Sequence, residues 1–182
     1  MKQTPSQTTG PFFHGGLIVA GDNILAEDEA KGRRVTLTGR VLDGEGVPVL
    51  DAVLEIWQAD AEGIFKHSAD PRQAEADPHF TGFGRAATEG GTYTFVTVKP
   101  GRSALDDETQ APYIRLRVFA RGLLTHATTR VYFPDEANGE DAVLSAVPPT
   151  RRRTLIAELT APATYRFDVH LQGENETVFF DR

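Results

Sequence analysis

From Arg34 onward the chain alternates: Val35, Leu37, Gly39 and Val41 fall on one parity, Arg34, Thr36, Thr38 and Arg40 on the other. That is the period of a strand with one buried face. The same reading predicts strands over 51–58, 92–98, 113–121, 126–133, 154–159 and 163–172. The first of these carries Val53-Leu54-Glu55-Ile56-Trp57-Gln58-Ala59-Asp60, with the chain's one tryptophan. Rich in β-formers and flanked by Gly turns, it reads as a central strand whose end loops are where chemistry would be placed. Along 113–121, Ile114, Leu116, Val118 and Ala120 point one way, and Tyr113, Arg115, Arg117, Phe119 and Arg121 the other. A face with three arginines is no core; it meets solvent or is built for an anion. In 163–172, Tyr165, Phe167, Val169 and Leu171 alternate with Arg166, Asp168 and His170. One helical piece is expected, over 135–146, interrupted at Asn138-Gly139. Some seven short strands with little helix predict an all-β fold, an antiparallel β-sandwich.

Ahead of the strands, residues 1–33 read as an N-terminal arm and turn-rich lead-in, and 34–182 as the sandwich domain. Pro5 and Pro11 forbid a regular helix at the start. The pair Phe12-Phe13 argues that the arm lies extended along a surface, its own or a partner's. A length of 182 residues suits one domain. The net charge of −7 argues against a phosphate-backbone partner, which needs a clustered basic face. Arg151-Arg152-Arg153 is too short a run to supply one. Without cysteine there is no disulfide, thiolate nucleophile or Cys-ligated metal. No apolar run approaches the ~18 residues of a membrane span, and no signal core is seen, so a cytoplasmic location is expected.

Catalytic signals are sparse. The histidines, at 14, 67, 79, 126 and 170, form no His-x-His pair and no helical pair. Asp168 and His170 share a strand face and read as a surface ion pair, with a metal half-site as the sharper alternative. His67, Asp60 and Asp70 make a looser loop set. The serines lack a nucleophile elbow, and no phosphate loop or dinucleotide fingerprint occurs. Read bare, the residues describe a β-sandwich without evident catalytic apparatus.

Several stretches carry a resemblance: Thr4-Pro5-Ser6-Gln7-Thr8-Thr9-Gly10-Pro11, Gly39-Arg40-Val41-Leu42-Asp43-Gly44, Leu54 to Asp60, Val98-Lys99-Pro100-Gly101 and Phe119-Ala120-Arg121-Gly122. In order and spacing they resemble the intradiol ring-cleaving dioxygenases. The arm and the tail, Tyr165 to Glu174 and Glu176 to Asp181, resemble the non-catalytic α chain of the family's α–β heteromers. The resemblance implies a ferric ion, Fe(3+), held by two tyrosinates and two histidines. It also implies insertion of O2 between the hydroxyl-bearing carbons of 3,4-dihydroxybenzoate. The ligand positions fall here on Phe65, Ser103, Tyr113 and Arg115. Phe65 has no ligating atom, and Arg115 would set a permanent cation beside a trication. The expectation is therefore that Fe(3+) sits on a catalytic β-chain partner. This chain's implied contributions to the substrate pocket are Thr8, Gly10 and Pro11 of the arm and Arg121. Two other classes of protein remain open at this point: a free-standing β-sandwich binding module, and a metal enzyme using His67 or His170.

Overall fold

A computed structural model describes residues 3–10, 15–105 and 108–181. Pro11 and the pair Phe12-Phe13 lie outside the described residues. Among the described residues there are eleven strands: β1 (Arg34–Leu42), β2 (Val53–Trp57), β3 (Phe83–Ala87), β4 (Thr92–Val98), β5 (Ser103–Leu105), β6 (Glu108–Gln110), β7 (Tyr113–Phe119), β8 (Ala127–Tyr132), β9 (Glu158–Ala161), β10 (Thr164–Arg166) and β11 (Val169–His170). One sheet centres on β1, with β4 on one side and β10, β11 and then β9 on the other; the second runs β3-β2-β7-β8. The expected sandwich is present. Most ladders are antiparallel, and β1 pairs with β10 and β11 in parallel.

The alternation read from the sequence produces the core. Val35, Leu37 and Val41 of β1 and Tyr93 and Phe95 of β4 face Leu54 and Ile56 of β2 and Ile114, Leu116 and Val118 of β7 in one cluster. Each such side chain, fully buried, contributes roughly 1.5–3 kcal/mol. Gly39 keeps the inward parity because a Cβ there would lie 1.9 Å from the Phe167 carbonyl oxygen. That close passage lets Tyr93 Oη donate to the same oxygen at 2.5 Å.

Several elements depart from the periodic reading. β3, with the sequence Phe-Gly-Arg-Ala-Ala, lacks β-branched residues and was not expected as a strand. Its Gly84 admits the lead-in, since a Cβ would meet Leu25 Cδ1 at 2.4 Å and the Asp22 carbonyl at 2.8 Å. Residues 22–27 thus thread between β4 and β3, bonding Val96, Arg85 and Thr81 through backbone groups and burying Leu25 and Ala26. The β5–β6 hairpin was also not foreseen. The expected strand at 154–159 starts only at Glu158; before it the chain forms α2 (Pro149–Arg152) and a 3-10 turn, Arg153–Leu155. Pro149 at the first helical position explains the switch, its fixed φ being pre-set for a helix start. The helical piece is α1 (Ala142–Ala146), past Asn138-Gly139 and capped by Asp141.

Asp168 does not pair with His170. The chain leaves strand geometry between β10 and β11, and the Asp168 carboxylate turns to β1. There it accepts from Arg40 N and Nη2, both at 3.0 Å, and from Arg166 Nε and Nη2 at 3.2 and 2.6 Å. Burial by itself would raise the Asp168 carboxyl, but these bonds outweigh it and hold it below the ordinary carboxylate range. Asp70, Asp77 and Asp135 are lowered in the same way, hydrogen bonds overcoming desolvation. A carboxylate with a depressed folded-state pKa contributes stability that is full above its unfolded value, about 4, and is lost as pH falls through the lower folded value. The urea midpoint is therefore expected to be flat from about pH 7 to pH 5 and to drop below about pH 4. A midpoint that holds or rises on acidification to pH 3 would contradict this.

Candidate functional site

The motif around Trp57 is built from two opposite parities. Trp57 points to the outer face of the β3-β2-β7-β8 sheet, and Gln58, fully buried, points inward. Gln58 Nε2 donates to the Val98 carbonyl at 2.9 Å, and its Oε1 accepts from Thr97 Oγ1 at 2.8 Å, tying the end of β2 to the end of β4. The next polar residue, Asp60, organises a loop. Its carboxylate accepts from the backbone N–H of Glu62, Ile64 and Asp77 at 2.9–3.0 Å, and its carbonyl accepts from Gly101 N at 2.9 Å. Here the Lys99-Pro100-Gly101 stretch meets Gly63-Ile64-Phe65. A Cβ on Gly63 (φ +78°) would lie 1.9 Å from the Arg102 carbonyl oxygen, and one on Gly101 would lie 2.5 Å from the Ala61 carbonyl. Only glycine allows that approach. Lys99 itself is structural, pairing with Asp135 at 2.8 Å and Glu136 at 2.6 Å.

These loops bring together three of the four sequence-picked ligand positions. Phe65, Tyr113 and Arg115 line a cavity of about 140 Å³ with Trp57, His67 and Asp70. Phe65 stacks on Trp57 with ring centroids 6.3 Å apart and planes 11° apart, and His67 meets the indole edge-on at 5.9 Å. Ser103 is not part of that lining; it is buried on β5, and its hydroxyl has no hydrogen-bond partner among the described residues. Burial raises the Tyr113 phenol above its ordinary value despite Arg130 and Arg115 nearby, which keeps it protonated. A phenyl ring, a hydroxyl outside the pocket and a guanidinium do not suit Fe(3+). The looser set of His67, Asp60 and Asp70 is also committed elsewhere. Asp60 serves backbone N–H groups, and Asp70 accepts from Phe65 N at 3.0 Å and from Arg72. Among the described residues, one group could converge on a metal, the exposed Glu27 and Glu29 with the half-buried His79, a set that sequence spacing did not suggest.

The second set of sequence-picked residues lies elsewhere, and its lining shares no residue with the first. β7 ends at Phe119, so Arg121 leaves the arginine face and enters a turn with Gly122 (φ +87°). Its Nε donates to Asp51 Oδ1 and Oδ2 at 3.1 and 3.0 Å and its Nη2 to Oδ2 at 2.5 Å. The Asp51 bond raises the guanidinium further. Thr8 arrives from the arm: Gly122 N donates to Thr8 Oγ1 at 2.7 Å. Gly122, which holds Thr8, and Arg121 both line a cavity of about 500 Å³ together with Asp43, Asp51 and Leu171. Arg121 is largely exposed, its side chain 72% accessible. Gly10 is half-buried, and a Cβ there would meet nothing within 4 Å. Asp51, which orients Arg121, carried no sequence signal, because its role depends on where β2 starts relative to the turn after β7.

Among the described residues no helix is long and apolar enough to cross a membrane. The family model described as Dioxygenase matches residues 8–173. The chain is 48% identical, over 201 aligned positions, to the protocatechuate 3,4-dioxygenase alpha chain of Burkholderia cepacia, covering 100% of this chain and 98% of that one. It is 34% identical to the beta chain of the same organism's enzyme, covering 94% and 77%. Among solved structures, the dioxygenase domain of a dioxygenase–carbohydrate-binding protein fusion from Streptomyces sp. SirexAA-E superposes with a TM-score of 0.63 at 23% identity, covering 93% of this chain and 99% of that one. With its motifs, its two-sheet fold and a family match over nearly its whole length, the chain belongs to the intradiol ring-cleaving dioxygenases.

Proposed function

We propose that the chain is the α subunit of a protocatechuate 3,4-dioxygenase. It pairs with a β subunit that holds Fe(3+), and the assembled enzyme opens 3,4-dihydroxybenzoate with O2 to 3-carboxy-cis,cis-muconate in aromatic-compound catabolism. The observation that carries this reading is the likeness to a protocatechuate 3,4-dioxygenase alpha chain from end to end, 48% identical over the whole chain. The residues Phe65 and Arg115 at the positions the resemblance assigns to iron ligands agree with it. The likeness to a β chain at lower identity supports the partner. The direct test is iron content and ring cleavage of the chain purified alone and after co-expression with its β subunit. An iron-free, inactive lone chain that forms an iron-containing active complex is expected. Iron and activity in the lone chain would overturn the reading.

Within that complex the chain's residues wall the substrate pocket from outside the iron. Arg121 supplies N–H donors toward the substrate carboxylate, since the Asp51 clamp engages Nε and one hydrogen of Nη2 and leaves Nη1. Thr8, fixed on Gly122 N, and Gly10 and Pro11 of the arm complete the wall. Arg121→Ala, assembled with the β subunit, is expected to raise KM about tenfold or more, the loss of a hydrogen bond to a charged group, with iron content unchanged. Unaltered kinetics in a fully assembled enzyme would remove Arg121 from the pocket. Failed assembly would make it an ion pair of the subunit contact instead.

A further inference from the structure

The outer face of β7 is not plain solvent surface. Arg115 and Arg117 project from it, both half-buried, next to Trp57 and Glu55 of β2 in the cross-strand register. On the other side, Arg130 of β8 pairs in register with Arg115, and its guanidinium lies 4.1 Å from the centre of the Tyr113 ring. The nearby carboxylates are already engaged. Glu55 Oε1 accepts from Arg85 Nε and Nη2 at 3.0 and 2.6 Å, and Asp70 is held by Arg72 and the Phe65 backbone. Neither Arg115 nor Arg117 has a hydrogen-bonded or ion-paired acceptor among the described residues. Two guanidiniums, partly withdrawn from water and without an ion-paired acceptor among the described residues, thus face one pocket, where the Glu55 carboxylate in the lining is spent on Arg85, on a chain of net charge −7. Burial lowers the proton affinity of Arg115, and Arg117 and Arg130 repel it further. An anion would relieve both effects.

The walls say which anion. Next to the small cavity of Phe65 and Tyr113 lies one of about 270 Å³ between Trp57, Phe83, Arg115 and Arg117, and the two share Trp57, His67 and Arg115. The Trp57 and Phe83 rings stand 6.5 Å apart at 51°, an apolar corner beside paired cations. A volume at the bottom of the usual ligand-pocket range suits one ring. We propose that this pocket binds a single-ring aromatic carboxylate, its ring against Trp57 and Phe83 and its carboxylate on Arg115 and Arg117. Unlike a bare phosphate or sulfate site, it pairs the charge with aromatic walls. The proposal uses this chain's residues alone and is independent of the α-subunit reading.

Trp57 is the one tryptophan of the chain and forms part of the wall, so it reports on the site directly. Benzoate titrated into the full-length chain is expected to change Trp57 fluorescence saturably. Arg115→Gln and Arg117→Gln should each weaken binding about tenfold or more, as loss of a charge-assisted hydrogen bond does. Sulfate at matched ionic strength should compete weakly, and benzyl alcohol, which keeps the ring and lacks the charge, should not saturate the signal. No saturation, equal competition by sulfate, or unchanged affinity in both well-folded variants would overturn the proposal. If the variants fail to fold, the wild-type chain still decides: a benzoate-dependent, saturable shift of the single Trp57 indole N–H resonance is required, and a resonance that stays put refutes the site.

Discussion

Gly63→Ala is expected to destabilise the chain by about 3 kcal/mol or more, a substantial fraction of an ordinary domain's stability. Two costs add. At φ +78° a side chain must occupy the left-handed region, and its Cβ would enter the Arg102 carbonyl at 1.9 Å. The neighbour is backbone, so it cannot step aside as a flexible side chain could. Relief requires the 60–64 loop and the 99–103 loop to part, which breaks the Gly101 N to Asp60 carbonyl bond. Parting also disturbs Phe65 on Trp57, so the same variant is expected to shift Trp57 emission in the folded state. A urea midpoint within error of wild type would show that the two loops are not in backbone contact.

Asp141→Ala is expected to cost about 3–5 kcal/mol, because it orphans several buried donors at once. The fully buried Asp141 carboxylate accepts from Ala111 N at 3.0 Å, Tyr132 Oη at 2.9 Å and Leu144 N at 2.8 Å. It therefore caps α1, anchors the entry to β7 and satisfies a phenol in the small cluster of Ala111, Tyr132, Leu144, Val147 and Leu155. Water cannot easily replace it there. Asp141→Asn keeps one acceptor oxygen and turns an NH2 toward donors, so it should lose a large part of that amount. A chemical-denaturation difference under about 1 kcal/mol for the alanine variant would mean that those donors find other partners.

The legible part of this protein is what periodicity and residue chemistry encode locally. The alternation from Arg34 to Val41 marked which parity of β1 is buried, and that of 113–119 separated a core face from an arginine face. The identities of Phe65 and Arg115 excluded them as metal ligands before any geometry was known, because a phenyl ring has no donor and a guanidinium no lone pair to offer a cation. Phe83 to Ala87 escaped notice because its strand is imposed by neighbours: Gly84 is there to admit Leu25, and β-propensity had nothing to register. Asp168 was misassigned to His170 because two-residue spacing means a shared face only while the strand is unbroken, and this one breaks between β10 and β11.

By itself, then, the sequence determined the sandwich class and the family, properties carried by short motifs and short-range period. Tertiary structure alone decided the pairings: Thr8 on Gly122 across 114 residues, Asp51 on Arg121, Gly63 against Arg102, and Arg115 and Arg117 left without an ion-paired carboxylate among the described residues. The physical reason is that period 2 states which side of a strand a residue faces, while strand register and loop closure state what it meets there. A charge that looks solvated in sequence becomes an unpaired cation only once the nearby acids are seen to be spent on other partners.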